Sequence, residues 1–207
     1  MMRARIGYWL LLLELTQPFV AAQKKPEYTF GVTVVDSVGL QGRIYYLEPN
    51  TQRLPDFRRM KSVGTIYTRA LNIWPQHFES GFPDITGRFE WFAITYSGRL
   101  WIEKQGPYKF SLLSDDGARL KLNGQVVIDL DGQHESRVSS AGATLTRGGY
   151  NIEVDYFQGP RFTVALVLAI APPGEPWRIL NTGDFMAPTD PLDWMSGHLA
   201  DIQPQTP

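Results

Sequence analysis

The sequence predicts an all-β fold, an antiparallel sandwich or a partly closed barrel of short strands. Tyr108, Phe110 and Leu112 alternate with polar residues, which is typical of a strand with one buried face. The 19 Gly and 15 Pro residues favour tight turns over long helices. A chain of 207 residues suits one domain with tails.

Most of the chain reads as short segments of alternating or β-branched residues separated by polar loops. Strands are predicted, in chain order, at residues 28–35, 43–47, 63–68, 88–96, 100–103, 108–112, 120–122, 126–128, 143–146, 150–157 and 162–170. Turns are predicted at Ser97-Gly98, Asn123-Gly124 and Gly148-Gly149. Loops are predicted at 48–61, 72–87 and 130–140, where Pro, Gly and polar residues concentrate. Residues 162–170 are almost wholly apolar, which predicts a central strand buried on both faces.

The N-terminal residues resemble a secretory signal peptide. Two arginines precede the apolar run at 6–13, and Val20-Ala21-Ala22 offers small residues for a signal peptidase. The predicted domains are therefore a signal peptide at 1–22, a β domain at 23–180 and a Pro-rich tail at 181–207, whose last residues, 203–207, are expected to be disordered. The exported protein would be periplasmic or extracellular.

Composition excludes several classes of function. The chain has no cysteine, which excludes thiol catalysis, thiolate metal sites and lipid attachment through a thiol. A net charge of −1 without a basic run gives no basis for nucleic-acid binding. After the N-terminal run no apolar stretch approaches the ~20 residues of a membrane helix.

Asp115-Asp116-Gly117 is the main candidate site, because two adjacent carboxylates follow one strand and precede a hairpin. One interpretation is an ordinary turn, since Asp bonds to its own backbone and Gly accepts positive φ. The other is a cation site, because hard carboxylate oxygens suit Ca²⁺. The residues alone leave both open.

The other motifs are weaker. Asp129-x-Asp131-Gly132 resembles the start of an EF-hand but places Gly too early, so it is interpreted as a solvated loop that could still border the binding face. The three histidines are isolated, no Gly-x-Ser-x-Gly is present, and the adjacent acids cannot flank a glycosidic bond. The protein is therefore predicted not to be an enzyme. Trp74 and Phe82 fall in a predicted loop and are the candidate aromatic platform for a ligand.

The order and spacing of several hairpins resemble the protective-antigen (PA14) domain family. The similarity covers the sequence GPYKFSLLSDDGARLKLNG at 106–124, the segment LTRGGYNIEVDY at 145–156 and the strand pair at 89–102. It extends over about residues 42–170. The resemblance implies a β-sandwich found in bacterial toxins, glycosidases, adhesins and yeast flocculins.

One branch of that family binds sugars through calcium. There the two aspartates are joined by a cis peptide and hold the ion, and a second loop adds an asparagine and backbone carbonyls. Carried over, the ligands are Asp115 and Asp116, with Gln158 at the asparagine position, one methylene longer. The predicted function is an exported carbohydrate-binding module with a candidate calcium site, whose partner is a glycan or cell-surface polysaccharide.

Two alternatives stay open. One is a structural or protein-interaction domain of the bacterial envelope, without sugar binding, whose partner would be an envelope protein. The other is a non-catalytic accessory to a glycosidase that acts in trans. The glutamine at position 158, where the calcium-binding branch has asparagine, and the short loop that follows it favour the structural alternative.

Overall fold

The computed structural model describes residues 39–77, 88–160, 162–190, 193–194 and 199–205. These parts contain twelve strands and two short 3-10 helices. The strands are β1 Leu40–Tyr46, β2 Gly64–Thr68, β3 Asn72–His77, β4 Phe92–Ile102, β5 Gly106–Asp115, β6 Ala118–Leu122, β7 Gln125–Leu130, β8 Arg137–Leu145, β9 Gly148–Gln158, β10 Thr163–Ala171, β11 Arg178–Ile179 and β12 Leu199–Gln205. The 3-10 helices are Phe57–Arg59 and Thr182–Phe185. Within the described residues, no helix has both the length and the apolar character that a membrane crossing requires.

The strands form two antiparallel sheets, which confirms the predicted β-sandwich. The first sheet has the order β2-β1-β4-β9-β6-β7, and the second has the order β11-β10-β5-β8-β12, with β3 also paired to β10. Inward residues of both sheets form one core that includes Phe92, Tyr96, Phe110 and Tyr156, each 0% exposed. The predicted central strand at 162–170 is confirmed, because β10 lies between β5 and β11.

A smaller cluster covers the outer face of the first sheet. Leu47, Ala93 and Phe157 are buried there beneath the loop that joins β1 to β2. Asp131 Oδ1 accepts a 2.7 Å hydrogen bond from the Leu54 amide of that loop. The predicted loop at 48–61 is thus attached to the β7–β8 connection, which lies at one end of the sandwich.

The Asn123-Gly124 hairpin is confirmed, with φ of 48° and 79° at its two residues. Two other predicted turns are wrong. Ser97-Gly98 lies within β4, where a Cβ on Gly98 would come 2.8 Å from Leu40 Cδ2, so this glycine permits close packing. Gly148-Gly149 begins β9 of the first sheet, whereas β8 belongs to the second, so these glycines follow a crossing between sheets.

Two segments predicted to be irregular form edge strands. Residues 72–77 of the predicted 72–87 loop form β3, and the register shift opposite β10 accommodates Pro75. Residues 199–205 pair with β8, so the expected disorder at 203–205 is wrong. A proline by itself predicts the end of a strand, because it cannot donate a backbone hydrogen bond. An edge strand tolerates it, since only one side of that strand is paired. The predicted signal peptide at 1–22 and strand at 28–35 lie outside the described residues.

Candidate functional site: an acidic pocket between three loops

Three connections meet at one end of the sandwich and enclose a cavity of 620 Å³. They are the β5–β6, β7–β8 and β9–β10 connections. We call this cavity the acidic pocket. Its lining residues are Asp115, Asp116, Gln133, His134, Glu135, Ser136, Pro160, Phe162 and Thr163.

The Asp pair lies where the chain leaves the second sheet at β5 and enters the first sheet at β6. The Asp115–Asp116 peptide bond is cis, as the family resemblance implies. Gly117 follows in a place with no room for a side chain, since a Cβ there would lie 2.4 Å from Phe157 Cε1. The crossing therefore brings two carboxylates, each on a residue only 6% exposed, to the pocket wall.

Asp115 is held by hydroxyl groups from two other connections. Its Oδ2 accepts hydrogen bonds from Ser136 Oγ at 3.0 Å and from Thr163 Oγ1 at 2.6 Å. Its backbone carbonyl lies 2.8 Å from the Tyr156 hydroxyl. The Oδ1 atom accepts no hydrogen bond from the described residues and so keeps its lone pairs for a ligand.

Asp116 is held by backbone amides. Its Oδ1 accepts from the His134 N–H at 3.1 Å, and its Oδ2 accepts from the Gly159 N–H at 2.7 Å. Burial raises the pKa of Asp116 above the ordinary aspartate value; the two amides offset part of this shift, and the charge of Asp115 adds to it. Each carboxylate oxygen has two lone pairs, so one amide bond leaves each oxygen able to accept again.

Neither carboxylate has a lysine or arginine partner among the residues that the structure describes. No lysine or arginine there forms an ion pair with Asp115 or Asp116. Buried carboxylates are normally paired or bound to a metal, because leaving water disfavours the charged form. Two nearby carboxylates that offer hard oxygen donors fit a cation such as Ca²⁺. No group of three or more His, Cys, Asp or Glu able to hold a metal occurs in the described ranges, so other ligands would have to be carbonyls, water or a bound molecule.

Gln158 is at the end of β9, with its side chain fully buried and outside the pocket lining. Its Oε1 lies 2.5 Å from the Tyr156 hydroxyl, and its Nε2 donates to the carbonyls of Pro160 and Thr163 at 3.3 and 3.1 Å. Burial raises the pKa of Tyr156 well above its usual value, and the charges of Asp116 and Asp115 add to the shift, so the phenol stays protonated. The Gln158 side-chain amide therefore holds the two ends of the β9–β10 connection together.

The β7–β8 connection supplies pocket residues that the sequence did not assign to the site. The His134 ring nitrogens lie 2.8 Å from the carbonyls of Glu135 and Leu130, which fixes the shape of this connection. Gln133 Nε2 donates to the Thr51 carbonyl at 3.0 Å. The polar run after Asp129 is the sequence feature that marks this connection, and by itself it predicts a solvated loop. The hydrogen bond from the His134 amide to Asp116 joins residues distant in sequence, so the pattern does not reveal it.

The aromatic side chain at the pocket is Phe162, which is 78% exposed and lines the cavity. Sequence reasoning placed Phe162 at the start of the buried strand, whereas β10 begins one residue later. Trp74 is in β3 and is 58% exposed, but it does not line the acidic pocket. Phe82 lies outside the described residues.

Comparisons with known proteins agree on the fold. A family model described as "PA14 domain" matches residues 77–176. No curated protein matches the chain.

Three solved structures are similar, all at low sequence identity. A "PA14 sugar-binding domain from RTX adhesin" has a TM-score of 0.59 and 20% identity, covering 70% of this chain and 96% of that one. The PA14 domain of the MpAFP antifreeze protein has a TM-score of 0.57 and 17% identity, covering 79% and 94%. An anti-sigma factor domain-containing protein has a TM-score of 0.57 and 20% identity over 74% of this chain, which spans 49% of that protein.

At these identities the solved structures establish the fold and nothing further. The family model adds sequence evidence over the part of the chain that carries β4 to β10 and all three pocket connections. The match to the PA14 domain family model at residues 77–176 therefore supports, over that part of the chain, the family resemblance that the sequence indicated.

Proposed function

We propose that the protein is an exported, non-catalytic carbohydrate-binding module whose acidic pocket holds calcium through Asp115 and Asp116. The observation that carries the proposal is the pair of buried carboxylates without a lysine or arginine partner among the described residues. The sugar-binding PA14 domain of the RTX adhesin, which shares the fold, supports it. Export rests on the N-terminal sequence pattern alone.

Each carboxylate has a defined part. Asp115 offers Oδ1, because Ser136 and Thr163 occupy only Oδ2. Asp116 offers the second lone pairs of both its oxygens, while the amides of His134 and Gly159 hold it in place. When bound, a calcium ion supplies open coordination positions that vicinal sugar hydroxyls can fill. Gln158 maintains the neighbouring connection and is not assigned as a ligand.

The remaining lining favours an uncharged glycan. Asp115, Asp116 and Glu135 give the pocket an acidic character, which disfavours acidic sugars. Phe162 offers an exposed ring against which the apolar face of a sugar can pack.

The test is calorimetric titration of the protein with Ca²⁺, followed by a glycan array with and without chelator. The wild type should bind calcium and should lose its glycan signals in chelator. Asp116→Asn should lose both responses, since the amide removes a charge and places a donor group against a backbone N–H. Asp129→Asn is the matched control, because Asp129 is a half-exposed carboxylate on β7 that pairs with Arg119 outside the pocket.

Two results would reject the proposal. One is the absence of calcium heat together with glycan signals that chelator leaves unchanged. The other is an Asp116→Asn variant that is folded and retains both responses.

A second candidate function is a scaffold or protein-interaction domain. It is favoured by the hydrogen bonds that the protein itself makes to three of the four carboxylate oxygens, which tie the three connections together. In that case the melting temperature would not change in chelator, no glycan would bind, and a specific envelope protein would co-purify.

A further inference from the structure

A second cavity lies at the opposite end of the sandwich from the acidic pocket. Gly149 at the start of β9 lines this cavity, whereas Gln158 at the end of β9 precedes the acidic pocket. Nine strand steps separate them by roughly 30 Å. The cavity measures 670 Å³ and lies between the first sheet and a wall made by residues 182–187 and Trp194. We call it the aromatic cleft, defined by Trp101, Phe185, Met186, Trp194 and the arginines Arg69 and Arg99.

The cleft wall is mainly apolar, and the indole N–H groups and the threonine hydroxyl in it already have hydrogen-bond partners. Trp101 Nε1 donates to Glu103 Oε2 at 2.8 Å, and Trp194 Nε1 donates to the Pro188 carbonyl at 2.8 Å. The Thr182 hydroxyl donates to the Arg69 carbonyl at 3.3 Å. A sugar needs several free donors and acceptors for its hydroxyls, so this wall suits an apolar ligand body.

Large apolar side chains are left accessible around this concavity. Met186 is 67% exposed and Trp194 is 52% exposed, while Trp101 is 6% exposed and Phe185 is 7% exposed beneath them. A cavity of this volume with aromatic lining is of the size that takes one small ligand.

The charged side chains that line the cleft in the described residues are all positive. Arg69 and Arg99 are its charged lining residues in the described part of the chain, and no acidic residue lines it there. Arg99 is exposed and makes no ion pair with any described residue. The neighbouring arginines are engaged, Arg147 with Glu103 and Arg178 with Asp184. An anionic group at the rim would therefore find a guanidinium without a competing carboxylate.

We propose that the aromatic cleft binds a free medium-chain fatty acid. Its acyl chain packs against Trp101, Phe185 and Trp194, and its carboxylate bonds to Arg99. This site is independent of calcium and of the acidic pocket.

The test uses 11-bromoundecanoate, because bromine quenches tryptophan fluorescence at short range. Saturable quenching of the full chain is expected, several-fold tighter than quenching by 11-bromoundecanol. Arg99→Ala should remove that preference for the carboxylate. Arg43→Ala is the matched control, since Arg43 is also an exposed arginine of the first sheet but lies outside the cleft.

Two further variants test the position of the acyl chain. Met186→Asp should weaken binding of 11-bromoundecanoate at least ten-fold, because it adds a carboxylate at an exposed position without disturbing the core. Trp194→Phe should reduce the quenching amplitude, whereas Trp74→Phe should not. Asp116→Asn should leave quenching unchanged, so failure at this site is distinguishable from failure of the sugar proposal.

Several outcomes would overturn the assignment. Absence of quenching by either probe means that other parts of this chain fill the cleft. If 11-bromoundecanoate and 11-bromoundecanol bind with equal affinity, and Arg99→Ala changes neither affinity, the cleft does not recognise a carboxylate and the fatty-acid assignment is wrong. Sedimentation with phosphatidylglycerol vesicles that 11-bromoundecanoate does not reverse assigns the surface to a membrane instead.

Discussion

The acidic pocket and the aromatic cleft lie at opposite ends of the same two sheets but are built in different ways. In the pocket, buried carboxylates of the β5–β6 connection accept hydrogen bonds from the β7–β8 connection and from the chain between β9 and the first residue of β10. In the cleft, apolar rings with satisfied indole N–H groups face the cavity together with Arg99, which has no ion pair among the described residues. A buried polar group requires partners, so the pocket is closely fitted, whereas apolar surface can remain open at a modest cost. The difference predicts that substitutions of buried residues around the pocket disturb folding and that substitutions of exposed residues at the cleft change binding alone.

The largest effect is expected for Gly117→Ala. Its Cβ would lie 2.4 Å from Phe157 Cε1 and 2.8 Å from the Gly132 carbonyl oxygen, so backbone would have to move. We expect a loss of about 3 kcal/mol in the free energy of unfolding, measured by denaturant titration. Gly64→Ala is the control, since its Cβ would meet Ile44 Cδ1 at 3.5 Å, an ordinary contact. An unchanged midpoint for Gly117→Ala would show that the acidic end is not closely fitted.

A smaller loss is expected for Gln158→Leu. The substitution leaves the carbonyls of Pro160 and Thr163 without the donor that now serves them, and it removes one of the two acceptors that the Tyr156 hydroxyl has. Unsatisfied buried groups of this kind cost about 2 kcal/mol. Quenching by 11-bromoundecanoate should be unchanged, because the cleft is at the other end. Normal stability with a lost calcium response would instead identify Gln158 as a ligand.

Lowering the pH should change stability and calcium affinity through Asp116 at the acidic end of the sandwich. Because burial places the folded pKa of Asp116 above its unfolded value, the folded state binds more protons between the two values. Asp116 therefore adds stability to the calcium-free protein as pH falls through that window, and this contribution is lost as pH rises above the folded pKa. Protons also compete with calcium, so calcium affinity should weaken from a higher pH than an ordinary aspartate would give.

Melting curves in chelator and calcium titrations across the acid range measure both effects. Asp116→Asn should abolish the stabilising contribution, with Asp129→Asn as its control. A wild type and an Asp116→Asn variant with parallel pH profiles would contradict the assignment.

The smallest effect on stability is expected for Phe162→Ala. Its ring is 78% exposed, so the free energy of unfolding should change by no more than about 0.5 kcal/mol. Glycan binding should fall several-fold if the ring packs against the sugar. Trp74→Ala is the matched control, an exposed aromatic outside the pocket. Equal glycan affinity in both variants would remove Phe162 from the binding surface.

Sequence patterns predicted the elements that depend on neighbouring residues. Alternation located β5 and β9, and Asn123-Gly124 located the hairpin between β6 and β7. The turn predictions at Gly98 and Gly148 were wrong for two different reasons. Gly98 is needed for close packing against Leu40, and Gly148 lies where the chain enters the other sheet. A glycine in a sequence does not reveal whether it serves a turn or a contact.

By itself the sequence determined the fold class, the family resemblance and the Asp pair as the main candidate site, because periodicity and turn chemistry are local properties. Only the tertiary structure decided which groups meet that pair: Ser136, the His134 and Gly159 amides, and Thr163. It also placed Phe162 rather than Trp74 at the pocket, and it placed Arg99 beside the aromatic cleft without an ion pair among the described residues. These contacts join residues up to 48 positions apart, and they form only when both sheets close around one core and bring distant connections to a common end.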